Sequence, residues 1–335
     1  MHAEQIPRPQ DLWPPAPALR RSTPGFEFRG GHYRGEMVAP PQAVGKRPLI
    51  LVIHNYQGLK FFDVDVAEYL ARVGYVGLAI DMYGENVPAD ERDFPEDPKA
   101  IPAFQKKCFE AMVALDHDHE YFRALLNRWI EEGLNQDCVD QSLAPAAIGY
   151  CFGGMAVIEC VRGGLNVSGV VSLHGLLQTG EDPNPAANGA LRPTVKPAPN
   201  NYTKDAVVVI ENGANDQLVP DASKQRFFEE MNEAGVDWVF NHHAHTPTVL
   251  RCHQLLVLRV AFTNPQTAAL RCQCLVCFVS SSLGLRKTTW PTTPPAAQSP
   301  AKRNQPHRQP HKSLQKFYPP VGYNQLKGFE IEGLQ

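Results

Sequence analysis

The feature of this 335-residue sequence that most restricts its fold is a series of short apolar runs that alternate with helical patterns. The runs are continuous and rich in Val, Ile, Leu and Ala, as is typical of strands buried on both faces of a parallel sheet. They lie at residues 48–58, 75–84, 146–154, 168–175, 206–213 and 236–240. Apolar residues at helical spacing occupy residues 62–73, 101–115, 118–132, 155–161 and 223–234. The alternation predicts an α/β fold with a mostly parallel, doubly wound central sheet and helices on both faces.

The N-terminal part of the chain precedes this alternation. Residues 1–24 are rich in Pro and predict a flexible leader. Residues 26–38 alternate in side-chain character around Gly30 and Gly31, which predicts a β-hairpin with a two-residue turn. We therefore expect the folded domain to span residues 25–280.

Hydropathy and the cysteine pattern predict where in the cell the protein resides. No apolar run approaches the roughly 18 residues that a membrane-spanning helix needs, and the N-terminal stretch lacks the apolar core of a signal peptide. The 8 Cys residues have no regular spacing. We expect a cytoplasmic protein with reduced cysteines and no membrane partner.

The C-terminal part has a different composition. No Asp or Glu occurs from Asn241 to Phe329, and residues 281–335 form a basic, Pro-rich tail that is predicted to be disordered. Basic tails can bind nucleic acid, but this one carries no nucleic-acid-binding motif, so we predict no such partner. A zinc site would draw on residues whose spacing does not match paired C-x2-C ligands, and we expect no metal there. These residues are Cys252, His253, Cys272, Cys274 and Cys277.

The strongest chemical motif is Gly-Tyr-Cys-Phe-Gly-Gly at residues 149–154. The pattern G-x-nucleophile-x-G is typical of a tight strand-to-helix turn, and its glycines leave room beside the nucleophile. Such a turn places Cys151 at the carboxyl edge of the sheet and at a helix N-terminus. The helix dipole and free N–H groups there are expected to lower the pKa of the thiol and to stabilise an oxyanion. The alternative is a buried, inert cysteine.

A nucleophile in such a turn is followed in the chain by an acid and then by a histidine. Asp216 follows the fifth apolar run, where the acid is expected, although an Asp there can also serve a turn. The histidines after it are His242, His243, His245 and His253. A His cluster can also bind metal or lie on the surface, but no paired carboxylate lies near it in the sequence, which disfavours a metal.

Together these segments resemble the dienelactone hydrolase family of α/β-hydrolases. The resemblance covers residues 26–245 and rests on HNYQGL, AEYLARVGYVGLAIDMYGE, AAIGYCFGG, VSLHGLL and ENGANDQLVP. It implies the α/β-hydrolase fold, a Cys-Asp-His triad with Cys151 and Asp216, and an oxyanion hole formed by the backbone N–H groups of Phe152 and Tyr56. It also implies hydrolysis of a lactone or small ester through an acyl-enzyme, with no metal or organic cofactor.

Two departures from the family pattern bear on this expectation. The type member has a Gln-Glu pair, whose Glu controls the resting thiol, where this sequence has His54-Asn55. The family's last motif places the catalytic His before Ala-Phe-Thr-Asn-Pro, but Val260 stands there. His245 is then the nearest candidate base and His253 the second. The alternative function is a catalytically impaired α/β-hydrolase-fold protein that lacks the triad His.

The extra residues before Val260 suggest a hypothesis about the C-terminus. Part of residues 247–335 would derive from a divergent or mis-spliced gene model, because the break in charge begins just before them. Transcript reads that run continuously through codons 241–335 would contradict this hypothesis.

Overall fold

The computed structural model describes residues 18–87, 95, 97–178 and 201–247. The strands in these ranges are β1 (Arg20–Ser22), β2 (Gly25–Phe28), β3 (Gly31–Arg34), β4 (Glu36–Ala39), β5 (Leu49–Ile53), β6 (Val76–Ile80), β7 (Ala146–Tyr150), β8 (Gly169–Leu173), β9 (Val207–Asn215) and β10 (Asp237–Pro247). The α-helices are α1 (Phe61–Arg72), α2 (Ile101–His117), α3 (His119–Leu134), α4 (Phe152–Arg162) and α5 (Asp221–Ala234).

Eight of the described strands form one sheet, in the order β1-β4-β6-β5-β7-β8-β9-β10. All neighbours from β6 to β10 pair in parallel. Only β1 with β4 and β4 with β6 pair antiparallel among them. Every residue of β5, β6, β7 and β8 is buried, which explains why these strands are apolar without alternation. The predicted mostly parallel sheet is confirmed.

Helices pack on both faces of this sheet, as the sequence predicts. Successive residues of β5 enter two different apolar clusters, because side chains of a strand alternate between faces. Leu51 lies in the larger cluster, which includes Phe122 of α3 and Phe227 of α5. Val52 lies in the smaller cluster, which includes Leu70 of α1. The described helices therefore divide between the faces, with α1 on one and α2 to α5 on the other.

The N-terminal region differs in detail from the prediction. Residues Arg20–Ser22, within the predicted leader, form β1 and pair with β4. The β2–β3 hairpin is present, but its turn lies at Arg29 and Gly30 because Gly31 already pairs with Phe28. Both turn residues have positive φ, 46° and 88°, as a two-residue hairpin turn of the primed type requires. The first 17 residues, the end of the predicted domain and the predicted tail lie outside the described residues.

Candidate active site

Cys151 lies in the turn between β7 and α4, at the carboxyl edge of the sheet. Its φ of 57° and ψ of −110° lie in a region that residues other than Gly rarely adopt. Its N–H donates to the Leu173 carbonyl at 3.0 Å, and its carbonyl accepts from Met155 N–H at 3.1 Å. The sequence predicted a helix from Met155, but α4 begins at Phe152, so Cys151 itself caps the helix.

The glycines of the motif are needed because three backbone segments converge at this turn. A Cβ on Gly149 would lie 2.0 Å from the Gly153 carbonyl oxygen. A Cβ on Gly153 would lie 2.2 Å from the Ile53 carbonyl oxygen, on the neighbouring strand β5. The glycines that the sequence predicts beside the nucleophile therefore allow the β7–α4 turn to lie close against the end of β5.

Two backbone N–H groups, those of Phe152 and Tyr56, donate hydrogen bonds to the Cys151 thiol. Phe152 is the first residue of α4, whereas Tyr56 belongs to the loop after β5. The two come together because β5 and β7 are parallel neighbours whose carboxyl ends meet at the same sheet edge. The structure thus brings both residues of the predicted oxyanion hole to the sulfur.

The pKa of Cys151 contradicts the expectation from the sequence. Burial of the thiol raises its pKa to about 11, and the charge of Asp216 also acts to raise it. The hydrogen bonds from Phe152 and Tyr56 act in the opposite direction but are outweighed. Burial therefore has a larger effect on this pKa than the N–H groups at the helix N-terminus.

Asp216 follows directly after β9 and is buried, with 4% of its surface exposed. One carboxylate oxygen, Oδ1, accepts a hydrogen bond from Leu218 N–H at 2.9 Å. This bond is the turn interaction that the alternative interpretation of Asp216 anticipated. The carboxylate also acts electrostatically on Cys151, so the turn holds the acid near the nucleophile.

The candidate histidines occupy different positions on and after β10. His243 Nε2 lies 2.6 Å from Glu211 Oε2, so this side chain pairs with Glu211. His242 is exposed. The backbone of His245 is part of β10, two residues before Pro247, which pairs with Asn215 beside Asp216. The His245 side chain and all of His253 lie outside what the structure describes.

Two buried residues beside the site, His54 and Tyr83, are not among the predicted site residues. His54 directly follows β5, and Tyr83 follows β6. Their rings lie 4.7 Å apart, and the Tyr83 ring lies 5.5 Å from that of Phe152. The sequence could have indicated both residues, because polar residues that follow adjacent parallel strands converge at one edge of the sheet.

Two negative findings apply to the described ranges. No group of three or more His, Cys, Asp or Glu side chains there is arranged to hold a metal ion. Every helix in that part of the chain is also too short or too polar to cross a membrane.

The comparison with protein families agrees with this geometry. The sequence model of the dienelactone hydrolase family matches residues 34–247, more than half of the chain. This chain belongs to the dienelactone hydrolase family. The match includes Cys151, Asp216 and both predicted oxyanion donors, and ends at the last residue of β10.

Relatives of this dienelactone hydrolase family member match it over limited lengths. A Synechocystis sp. protein provisionally named carboxymethylenebutenolidase is 32% identical over 126 residues, 36% of this chain and 45% of that protein. The carboxymethylenebutenolidase of Pseudomonas sp. strain P51 is 28% identical over 138 residues, 40% of this chain and 52% of that protein. The chain therefore matches about half the length of these curated relatives.

Among solved structures, the fold is similar to that of a dienelactone hydrolase-like promiscuous phosphotriesterase from metagenomic libraries. The TM-score is 0.58 at 22% identity, and the similarity covers 80% of this chain and 99% of that protein. At this identity the similarity shows the fold alone. The predicted α/β-hydrolase architecture is confirmed.

Proposed function

We propose that this family member is a thiol-dependent hydrolase that cleaves a lactone or small ester through an acyl-enzyme on Cys151. The observation that carries the proposal is the convergence of two backbone N–H groups on the sulfur of a residue in a strained strand-to-helix turn. Oriented donors at such a position stabilise the negative charge that develops on a carbonyl oxygen during attack. The family relationship and the carboxymethylenebutenolidase relatives support the same reaction class.

The raised pKa of Cys151 requires that the thiol lose its proton as it attacks. A histidine would take this proton while the sulfur bonds to the carbonyl carbon, and we assign this role to His245. Asp216 would orient that histidine. The N–H groups of Phe152 and Tyr56 would hold the resulting oxyanion.

The tetrahedral intermediate would then collapse and break the bond to the alcohol oxygen, which takes the proton back from the histidine. A water molecule, deprotonated by the same histidine, would attack the thioester and release the carboxylic acid with Cys151 restored. No step needs a metal or an organic cofactor. The substrate would be a lactone or small ester whose carbonyl reaches the carboxyl edge of the sheet.

The test is hydrolysis of a p-nitrophenyl ester and of an enol-lactone by the full chain. Cys151→Ala is compared with Cys138→Ala, because Cys138 is also a free thiol but lies after α3, away from the sheet's carboxyl edge. We expect Cys151→Ala to lose activity and Cys138→Ala to keep it. A folded wild-type protein without activity would support the alternative of an impaired α/β-hydrolase.

A second comparison identifies the base. His245→Gln and His243→Gln differ in what the structure predicts for them, because His243 is paired with Glu211. Loss of activity only in His245→Gln would support its assignment. Equal activity of His245→Gln and wild type would overturn that assignment and leave the role of Cys151 intact.

A further inference from the structure

The buried His54 connects the ends of two strands by its two ring nitrogens. Nε2 lies 3.0 Å from the N–H of Met82, which follows β6, and Nδ1 lies 2.6 Å from the carbonyl oxygen of Asn55. A backbone N–H can only donate and a backbone carbonyl can only accept. Nε2 is therefore the acceptor, and the proton of the neutral ring is on Nδ1.

The environment of the ring keeps the His54 imidazole in its neutral form. His54 is completely buried, and burial lowers its pKa to about 3. The Asp81 Oδ1 atom is 4.0 Å from Nε2, beyond hydrogen-bonding distance, and it accepts from Tyr83 N–H at 2.9 Å. Both ring nitrogens are engaged by backbone groups, so His54 is not positioned to exchange a proton with Cys151.

The bond from Nδ1 acts on the peptide unit that joins Asn55 to Tyr56. The carbonyl oxygen of this unit also accepts from Gly58 N–H at 3.2 Å. Its N–H, at the opposite end of the same planar unit, is the Tyr56 donor to the Cys151 thiol. One peptide plane thus links the imidazole of His54 to the sulfur of Cys151.

We propose that His54 is a positioning residue that fixes the Asn55–Tyr56 peptide and strengthens its N–H as an oxyanion donor. A hydrogen bond to the carbonyl of an amide polarises the unit, and linked bonds strengthen one another by about 10–30% each. A peptide held at its oxygen also cannot rotate its N–H away from the developing charge, which avoids reorganisation during the reaction. The inference deepens the proposed function and rests on it for its catalytic consequence.

Two variants separate the hydrogen bonds of His54 from the packing of its ring. His54→Phe keeps a ring beside Tyr83 and Phe152 but removes both hydrogen bonds. His54→Gln loses the ring but retains one donor and one acceptor. For hydrolysis of a p-nitrophenyl ester, we expect kcat of His54→Phe to fall roughly 10- to 100-fold while KM changes less than roughly threefold. We expect His54→Gln to recover most of this loss.

A spectroscopic measurement tests the arrangement without relying on activity. In protein labelled with ¹⁵N-tyrosine, the Tyr56 amide resonance is assigned by its disappearance in Tyr56→Phe. We expect this resonance to shift to a position of weaker hydrogen bonding in His54→Phe and to return towards the wild-type position in His54→Gln. In ¹⁵N-histidine-labelled wild type, His54 should show the tautomer with the proton on Nδ1 throughout pH 5–9.

The outcomes distinguish the two proposals. An active wild type with unchanged kcat or an unchanged Tyr56 amide in folded His54→Phe would overturn the role of His54 and leave the proposed function standing. An inactive wild type that shows the expected tautomer and amide shift would overturn the proposed function and support the positioning. If His54→Phe does not fold, the wild-type spectrum decides, because a His54 protonated on Nε2 would overturn the inference.

Discussion

The Tyr83 hydroxyl donates a hydrogen bond to the carbonyl oxygen of Tyr56 at 2.9 Å. The ring that carries this hydroxyl is buried and lies 5.5 Å from the ring of Phe152. One side chain therefore contacts both residues whose N–H groups point to Cys151. Because β6 supplies Tyr83 and β5 supplies the Tyr56 loop, the order of the strands creates this support.

We expect Tyr83→Phe to reduce kcat for ester hydrolysis roughly 3- to 10-fold with little change in KM, because the loop that carries the Tyr56 N–H loses one of its restraints. The free energy of unfolding should fall by about 1 kcal/mol for the lost hydrogen bond. Steady-state kinetics and urea denaturation measure the two effects.

Tyr33→Phe is the matched control for this prediction. Tyr33 is also buried, but its hydroxyl is hydrogen-bonded to the hydroxyl of Tyr121 on α3 at 2.7 Å and not to the Tyr56 carbonyl. Its stability loss should be similar, while kcat stays at the wild-type value. If both variants lower kcat equally, Tyr83 affects the enzyme only through general stability.

The high pKa of Cys151 should appear in its alkylation. Burial raises that pKa to about 11, so the thiolate fraction and the rate with iodoacetamide should increase about tenfold per pH unit from pH 7 to 10. Asp216→Asn removes a negative charge that raises this pKa, so alkylation at a fixed pH should become faster. Mass spectrometry of the Cys151 peptide provides the rate.

Cys138 supplies an internal control in the same experiment. Its pKa is also raised by burial, but Asp216 is not among the charges that act on it. Asp216→Asn should therefore leave the Cys138 rate unchanged. Slower alkylation of Cys151 in Asp216→Asn would show that the carboxylate favours the thiolate, contrary to the electrostatics described above.

Asp63, near the start of α1, should make stability depend on pH. Burial raises its pKa to about 7, and its Oδ2 accepts from Lys60 N–H at 2.8 Å. Since the pKa in the unfolded chain is about 3.9, the folded protein binds an extra proton between these values. The resulting stabilisation is complete below about pH 4 and is lost as pH rises through 7, at most about 4 kcal/mol.

Asp63→Asn removes this titration and retains an oxygen that can accept from Lys60 N–H. We therefore expect the variant to gain stability relative to wild type between pH 5 and pH 8, as measured by urea denaturation at each pH. Parallel stability profiles for the two proteins would rule out a raised pKa at Asp63.

A buried ion network at the C-terminal end of α4 should make the stability of the protein sensitive to substitution of Arg162. Arg162 is fully buried and donates to both oxygens of Glu230 at 2.8 Å and to Glu159 at 2.9 Å. Arg162→Met would leave two buried carboxylates without their main cation, which costs about 3–5 kcal/mol of unfolding free energy. Chemical denaturation measures the loss.

The control for Arg162 is a cation on the surface. Lys106 is 54% exposed and pairs with Glu110 at 3.7 Å, so Lys106→Met should change stability by less than about 1 kcal/mol. If Arg162→Met also lost less than about 1 kcal/mol of unfolding free energy, the buried carboxylates would have to be neutralised by another group or by protonation.

The sequence and the structure agree most closely where the signal is local. Four of the apolar runs became β5 to β8 because a strand covered on both faces leaves no polar position along its length. The turn at Cys151 was predictable because a Cβ at Gly149 or Gly153 would overlap backbone atoms. The displaced turn of the β2–β3 hairpin was not, since its register depends on which residue pairs with Phe28.

The sequence by itself determined the α/β architecture, the position of Cys151 at a strand-to-helix turn and the order in which Asp216 follows it. Only the tertiary structure decided that the thiol is held as the neutral acid, because its pKa depends on burial among residues distant in the chain. The same is true of His54 and Tyr83. The Met82 N–H donates to His54, and the Tyr83 hydroxyl donates to the Tyr56 carbonyl, because the parallel strands β5 and β6 end side by side.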